Sequence, residues 1–114
     1  MSSFSDRFRA LALSFPETYE DSPWGHPVFK VGANKMFATM GNDEPLQVTL
    51  KLTADERGVA RELPFVRVAA YVGRYGWVTA TVTDEETLEA ALEWLRESYY
   101  LNAPTALRDA SFQD

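Results

Sequence analysis

Residues 46–52, LQVTLKL, alternate without a break, with Leu46, Val48, Leu50 and Leu52 against Gln47, Thr49 and Lys51. Successive side chains of a strand point to opposite faces, so a period of two describes a strand with one apolar face and one face of different character. WVTATV (77–82) repeats the pattern, with Val78, Ala80 and Val82 against Trp77, Thr79 and Thr81. FVRVAAYV (65–72) does so again, with Val66, Val68, Ala70 and Val72 against Arg67, Ala69 and Tyr71. Strands of this kind belong to a sheet, and the apolar side of that sheet must be covered by another layer.

The two ends of the chain supply the cover. Phe4, Phe8, Leu11 and Phe15 recur at helical spacing behind Ser2 and Ser3, either of which can cap, and Pro16 ends the run. Leu88, Ala91, Leu92, Leu95 and Tyr99 form a second stripe in a long last helix, which Thr83-x-x-Glu86 is spaced to cap. Between them, ETYEDS reads as a short strand, and VFKVG and KMFATMG as two strands joined at Gly32-Ala33-Asn34. Thr53-x-x-Glu56 opens a short helix reaching about Leu63, and GRYG (73–76) is a hairpin loop. Short connections make the sheet mostly antiparallel, and two amphipathic helices cover one of its faces. The expectation is a single α+β domain over residues 1–114, with the N- and C-terminal helices packed on one face. The other face collects Gln47, Thr49, Lys51, Arg67, Tyr71, Trp77, Thr79 and Thr81 and stays open.

Composition narrows the classes of function. No apolar run approaches the roughly 18 residues that suggest a membrane span. The start, MSSFSDRFRALALSF, has helix spacing and charges where a signal peptide needs a continuous apolar run. With no cysteine, the chain has no disulfide, thiolate metal site or cysteine nucleophile, and the expected setting is a cytoplasmic monomer. The net charge of −6 argues against a strong polyanion binder. The charge is uneven, however. Residues 24–77 hold seven Lys and Arg against five Asp and Glu, whereas residues 78–97 hold one against six.

Candidate chemistry is sparse. The one histidine, His26, sits in SPWGHPVFKV (22–31) with no spaced partner for nucleophilic catalysis, so it reads as a turn residue between Gly25 and Pro27. Glu85, Glu86, Glu89, Glu93 and Glu97 line the last helix and read as a solvated ridge, with loose cation binding or a protein-interaction surface as the functional alternatives. GRYG is not followed by a helix, as a phosphate loop requires. The set that points to binding is aromatic and basic: Trp24, His26, Lys30, Lys35, Lys51, Arg67, Arg74 and Trp77. Aromatic faces stack on flat ligands and cations pair with phosphate or carboxylate. The same residues would also serve as ordinary strand surface and core edge.

Those residues carry a likeness. SPWGHPVFKVGANKMFATM, then VTLKL, YVGRYGWVT and LRESYYL, match the MmcQ/YjbR family in order and spacing from about residue 4 to 108. The chain resembles that family in Trp24-Gly25-His26 before a Phe-Lys-Val strand, Lys35-Met36-Phe37, Lys51, Gly73-Arg74-x-Gly76-Trp77 and Ser98-Tyr99. The resemblance implies a frataxin-like (CyaY-like) fold, also compared with double-wing domains, and DNA as the ligand class. It implies no catalytic residue, cofactor or metal. Three readings are carried forward: a non-enzymatic DNA-binding module acting through its open sheet face; a binder of a small aromatic or anionic molecule, held between Trp24 and Trp77 with Arg74 as counter-ion; and a protein-interaction module using the acidic last helix.

Overall fold

A computed structural model describes residues 3–69 and 76–104. The chain runs α1 (Phe4–Ser14), β1 (Thr18–Asp21), β2 (Val28–Val31), β3 (Lys35–Met40), β4 (Leu46–Lys51), α2 (Ala54–Ala60), β5 (Val66–Val68), β6 (Trp77–Val82) and α3 (Glu85–Asn102). The six strands form one open sheet in the order β1-β2-β3-β4-β6-β5, with every neighbouring pair antiparallel. The fold is α+β, as the alternation implied.

Both long helices lie on the same side of the sheet, where α3 packs on β3, β4 and β6 and α1 packs on α3 and β1. The core forms between them. Leu46, Val48 and Leu50 of β4 and Val78, Ala80 and Val82 of β6 are buried there against Leu88, Ala91 and Leu95 of α3. Phe15, Phe37 and Tyr99 make an aromatic knot, with Phe15 and Tyr99 stacked at 4.6 Å and Phe37 edge-on to Tyr99 at 5.4 Å. The Tyr99 hydroxyl, at the end of a fully buried side chain, donates to the Pro16 carbonyl at 2.9 Å and so satisfies its polar end.

Several boundaries depart from the sequence reading. Of the two serines, Ser3 caps α1, accepting from the Asp6 N–H while the Asp6 carboxylate accepts from Ser3. The box that opens α3 is Asp84 with Thr87, not Thr83 with Glu86: the Asp84 carboxylate accepts from the Thr87 N–H, and the Thr87 hydroxyl accepts from the N–H of Asp84. Thr83 lies one residue outside, its N–H donating to the same hydroxyl. The short helix ends at Ala60 rather than near Leu63, and turns carry the chain to β5. Val68 is expected to face the core, and it is paired with Val78, yet it is 47% exposed because β5 is an edge strand at the end of the sheet. Residues 70–75, including Tyr71 and most of the hairpin loop, lie outside the described residues. No described helix is long and apolar enough to cross a membrane.

One irregularity shapes the far side of the sheet. Phe29 pairs with Ala38 and Lys30 with Met36, so Phe37 is an extra residue in β3. Such a bulge breaks the alternation and lets adjacent side chains share a face. Phe37 and Ala38 are both fully buried in the core. The β3–β4 ladder stops at Ala38–Leu50, and beyond it the strands part.

Candidate functional site on the uncovered sheet face

Two cavities are lined by side chains of the uncovered face. The larger, about 440 Å3, has Thr39, Thr49 and Thr79 from three neighbouring strands among its lining residues. The Thr49 and Thr79 hydroxyls meet at 3.0 Å across a β4–β6 pair. Gln47 and Arg67 form one side, with the Arg67 guanidinium donating to Gln47 Oε1 at 2.6 Å. Trp24 and His26 form the other, their rings 6.1 Å apart at 32°.

The SPWGHP turn is built to present that pair. Gly25 takes φ of 85°, a region that L side chains rarely adopt, and the Asn42 amide donates to its carbonyl at 2.6 Å. Pro27 is buried at the entry to β2, whereas Trp24 is left 69% exposed. A large indole held in the open beside a concave polar surface is a ready stacking wall.

The second cavity, about 350 Å3, is lined by Lys35, Met36, Lys51, Trp77 and Asn102. It lies where β3 and β4 part. Lys51 and Trp77 are a direct cross-strand pair, next in register after Thr49–Thr79 on the same face. Trp77 is 7% exposed, so it is not the open platform aromatic that the sequence reading placed beside Trp24.

The structure therefore divides the expected set. Trp24, His26 and Arg67 line one cavity, and Lys35, Lys51 and Trp77 line the other. A ligand clasped between Trp24 and Trp77 does not correspond to either. Lys30 is committed elsewhere: its ammonium donates to Asp21 at 3.1 Å and to Asn34 at 2.7 Å, bracing β1 on β2 and the following turn. The Lys30 ammonium, with the Ser22 N–H, holds the Asp21 carboxyl below the usual carboxylate range. Arg74 lies outside the described residues.

The acidic ridge is partly used within the fold. Arg7 of α1 reaches Glu85 at 2.6 Å and Glu89 at 3.9 Å. Glu97 turns inward, accepting from the Thr53 N–H at 3.3 Å, and burial together with the nearby Glu56 carboxylate raises its pKa. Among the described residues no group of three or more His, Cys, Asp or Glu side chains is placed to hold a metal. Thr39, Asn42 and Asp43 also line the larger cavity and were not singled out by sequence; Asn42 and Asp43 look like any turn residues until the chain folds back on Gly25.

A family model, YjbR, matches residues 13–101. The chain belongs to the YjbR family. Solved structures agree. The Deinococcus radiodurans protein DR2400, which carries a DUF419 domain, superposes with a TM-score of 0.78 at 25% identity, covering 96% of this chain and 88% of that one. A Pseudomonas syringae protein superposes at 0.65 with 18% identity, covering 84% of this chain and 96% of the other, and so shares the fold. No curated protein matches the sequence. In this YjbR domain the uncovered face thus carries two differently furnished cavities: one walled by an exposed indole and a guanidinium, the other by two ammonium groups and a nearly buried indole.

Proposed function

We propose that this YjbR protein is a binding module rather than an enzyme, and that it holds a small planar ligand in the cavity between Trp24 and Arg67. The concavity carries this reading. At about 440 Å3 the site falls within the roughly 300–1,000 Å3 typical of small-molecule sites. It pairs one exposed aromatic wall with convergent hydroxyl, amide and guanidinium groups. A flat ring would stack on Trp24 while its polar edge meets Thr49, Thr79 and Gln47, and Arg67 would pair with an anionic substituent.

DNA is the second reading, in single-stranded form. It is favoured by Lys51 lying on the same face, two residue pairs beyond Thr49 and Thr79, so that bases would stack while phosphates met cations. It is disfavoured by charge. Polyanion affinity comes mainly from phosphate contacts, and Asp43 also lines the larger cavity.

Calorimetry separates the two. A small aromatic acid should bind with an affinity that changes little with salt, and its saturable shift of the Trp24 indole resonance should be lost in Arg67→Ala. A short oligothymidylate would instead lose affinity steeply with salt, by about 0.7 log units per log unit of salt for each phosphate contact. That slope should fall in Lys51→Glu. A Trp24 indole resonance that small aromatic acids leave unmoved, or no heat with either probe at low salt, refutes the site.

A further inference from the structure

The opening between β3 and β4 has a specific cause. In a continuous ladder the Lys51 N–H and the Phe37 carbonyl would be bonding groups of facing strands. Here the Ser98 hydroxyl of α3 stands between them, accepting from the Lys51 N–H at 2.9 Å and donating to the Phe37 carbonyl at 2.5 Å. Ser98 is fully buried, so the separation is part of the packed core rather than a frayed end. One turn further along α3, Asn102 donates to the Ser98 carbonyl at 2.7 Å and lines the opening from the helix side. The other margin is drawn in by Gly76. Its carbonyl accepts from the Leu52 N–H at 3.0 Å, and a Cβ there would lie 2.7 Å from an Arg57 guanidinium nitrogen and 3.3 Å from the Leu52 carbonyl. Gly76 also takes φ of 96°, which L side chains rarely adopt, and the next residue, Trp77, pairs with Lys51.

The resulting slot is rich in donors. Arg7, Arg9 and Lys30 each pair with a carboxylate, but neither Lys35 nor Lys51 has an acidic partner among the described residues. Asn102, 8% exposed, spends one amide hydrogen on Ser98 and has no further partner for its side chain among the described residues. Trp77, 7% exposed, has no acceptor for its indole N–H among them either, whereas the indole N–H of the similarly buried Trp94 donates to Glu56 at 2.9 Å. Nearly buried indole N–H groups are normally hydrogen-bonded. No carboxylate is among the described residues that line the slot. Two lysines, an asparagine and a tryptophan whose indole N–H has no described acceptor line one space, with no acid among the described lining residues, and such a lining calls for an anion with several acceptor oxygens.

We propose that the β3–β4 slot is a binding site for an oxyanion carried by a small molecule, a carboxylate or a phosphate monoester, separate from the cavity at Trp24. The oxyanion accepts from Lys35, Lys51, Asn102 and the Trp77 indole, and the molecule's body lies against Met36 and the indole face. The site does not depend on what binds at Trp24, because the two cavities share no lining residue among the described residues.

The indole resonances of 15N-labelled protein test this, with the Trp77 signal assigned by Trp77→Phe. The probes are benzoate, phenyl phosphate and inorganic phosphate, each titrated at low salt. The expected result is a saturable shift of the Trp77 indole signal that persists in Trp24→Ala. Stronger binding of phenyl phosphate than of benzoate assigns the phosphate chemistry, and the reverse order the carboxylate. Lys35→Gln and Lys51→Gln should each weaken binding about tenfold or more, the usual effect of removing a charge-assisted hydrogen bond. Lys30→Gln should leave it unchanged, since that ammonium is held by Asp21 and Asn34. Lys35 is exposed, so its variant reports on binding even if Lys51→Gln perturbs folding. The proposal is overturned if none of the three probes gives a saturable shift, or if Lys35→Gln binds as tightly as the parent. A failure at Trp24 with a saturable response at Trp77 would sink the planar-ligand reading and leave this one standing.

Discussion

Replacing Ser98 by alanine should cost the fold far more than the loss of one hydroxyl suggests. That oxygen is the only described partner joining the Lys51 N–H to the Phe37 carbonyl across the parted strands. Its removal strands a donor and an acceptor beneath α3, at a position with no solvent exposure. A buried polar group left unsatisfied costs about 1–3 kcal/mol. Two such groups, with partial relaxation, give about 2–4 kcal/mol. The strands cannot simply close up, because the bulge at Phe37 is pinned by Phe15 and Tyr99. With a urea m-value of about 1–2 kcal/mol/M, the unfolding midpoint should fall by at least ~1 M at unchanged m. Amide hydrogen exchange adds a local readout, in which the Lys51 amide loses protection beyond the global change. A midpoint within about 0.3 M of the parent, with Lys51 exchange no faster than its neighbours, would refute the bridging role. It would also remove the reason for the slot to stay open.

The remaining predictions concern the carboxylates and the cap. Glu97 has its pKa raised first by burial and then by repulsion from Glu56, offset in part by the Thr53 N–H. A carboxyl whose folded pKa lies above its unfolded value supports the fold only while protonated, and that support is lost as pH rises through the folded value. Glu97→Gln, which keeps an acceptor for Thr53, should therefore raise the thermal midpoint at neutral pH, and the gain should vanish on acidification below the unfolded value; equal gains at both pH values would contradict this. Asp84→Ala should cost about 1 kcal/mol as a lost helix cap, while Thr83→Ala stays within about 0.5 kcal/mol of the parent. Chemical denaturation of the pair decides which residue caps α3, and the reverse order would restore the box at Thr83.

What could be read from the chain alone was whatever depends on neighbours in sequence. The alternation in LQVTLKL and WVTATV requires strands with one apolar face, and the two stripes at the ends supply helices to cover it. These patterns repeat every two or roughly four residues, so they survive without knowledge of the fold. The α3 cap shows the limit of that reading. Thr83 and Asp84 are both cap residues, each with a partner three positions on, and only the path of the chain leaving β6 selects Asp84.

The functional surface was decided at longer range. Lys30 and Lys51 look alike in the sequence, yet Lys30 meets Asp21 through the β1–β2 pairing and Lys51 meets no acid among the described residues. Trp24 and Trp77 look like a matched pair, but a turn leaves one exposed while the other, on a central strand, is nearly buried. The slot itself exists because a hydroxyl on the last helix holds apart two strands, at residues 61 and 47 positions earlier in the chain. Local patterning sets which elements form and which side of each is apolar, because those choices are made within a few residues. Which polar group is left unpaired, and therefore free to meet a ligand, depends on contacts between distant segments, and only the folded arrangement fixes those.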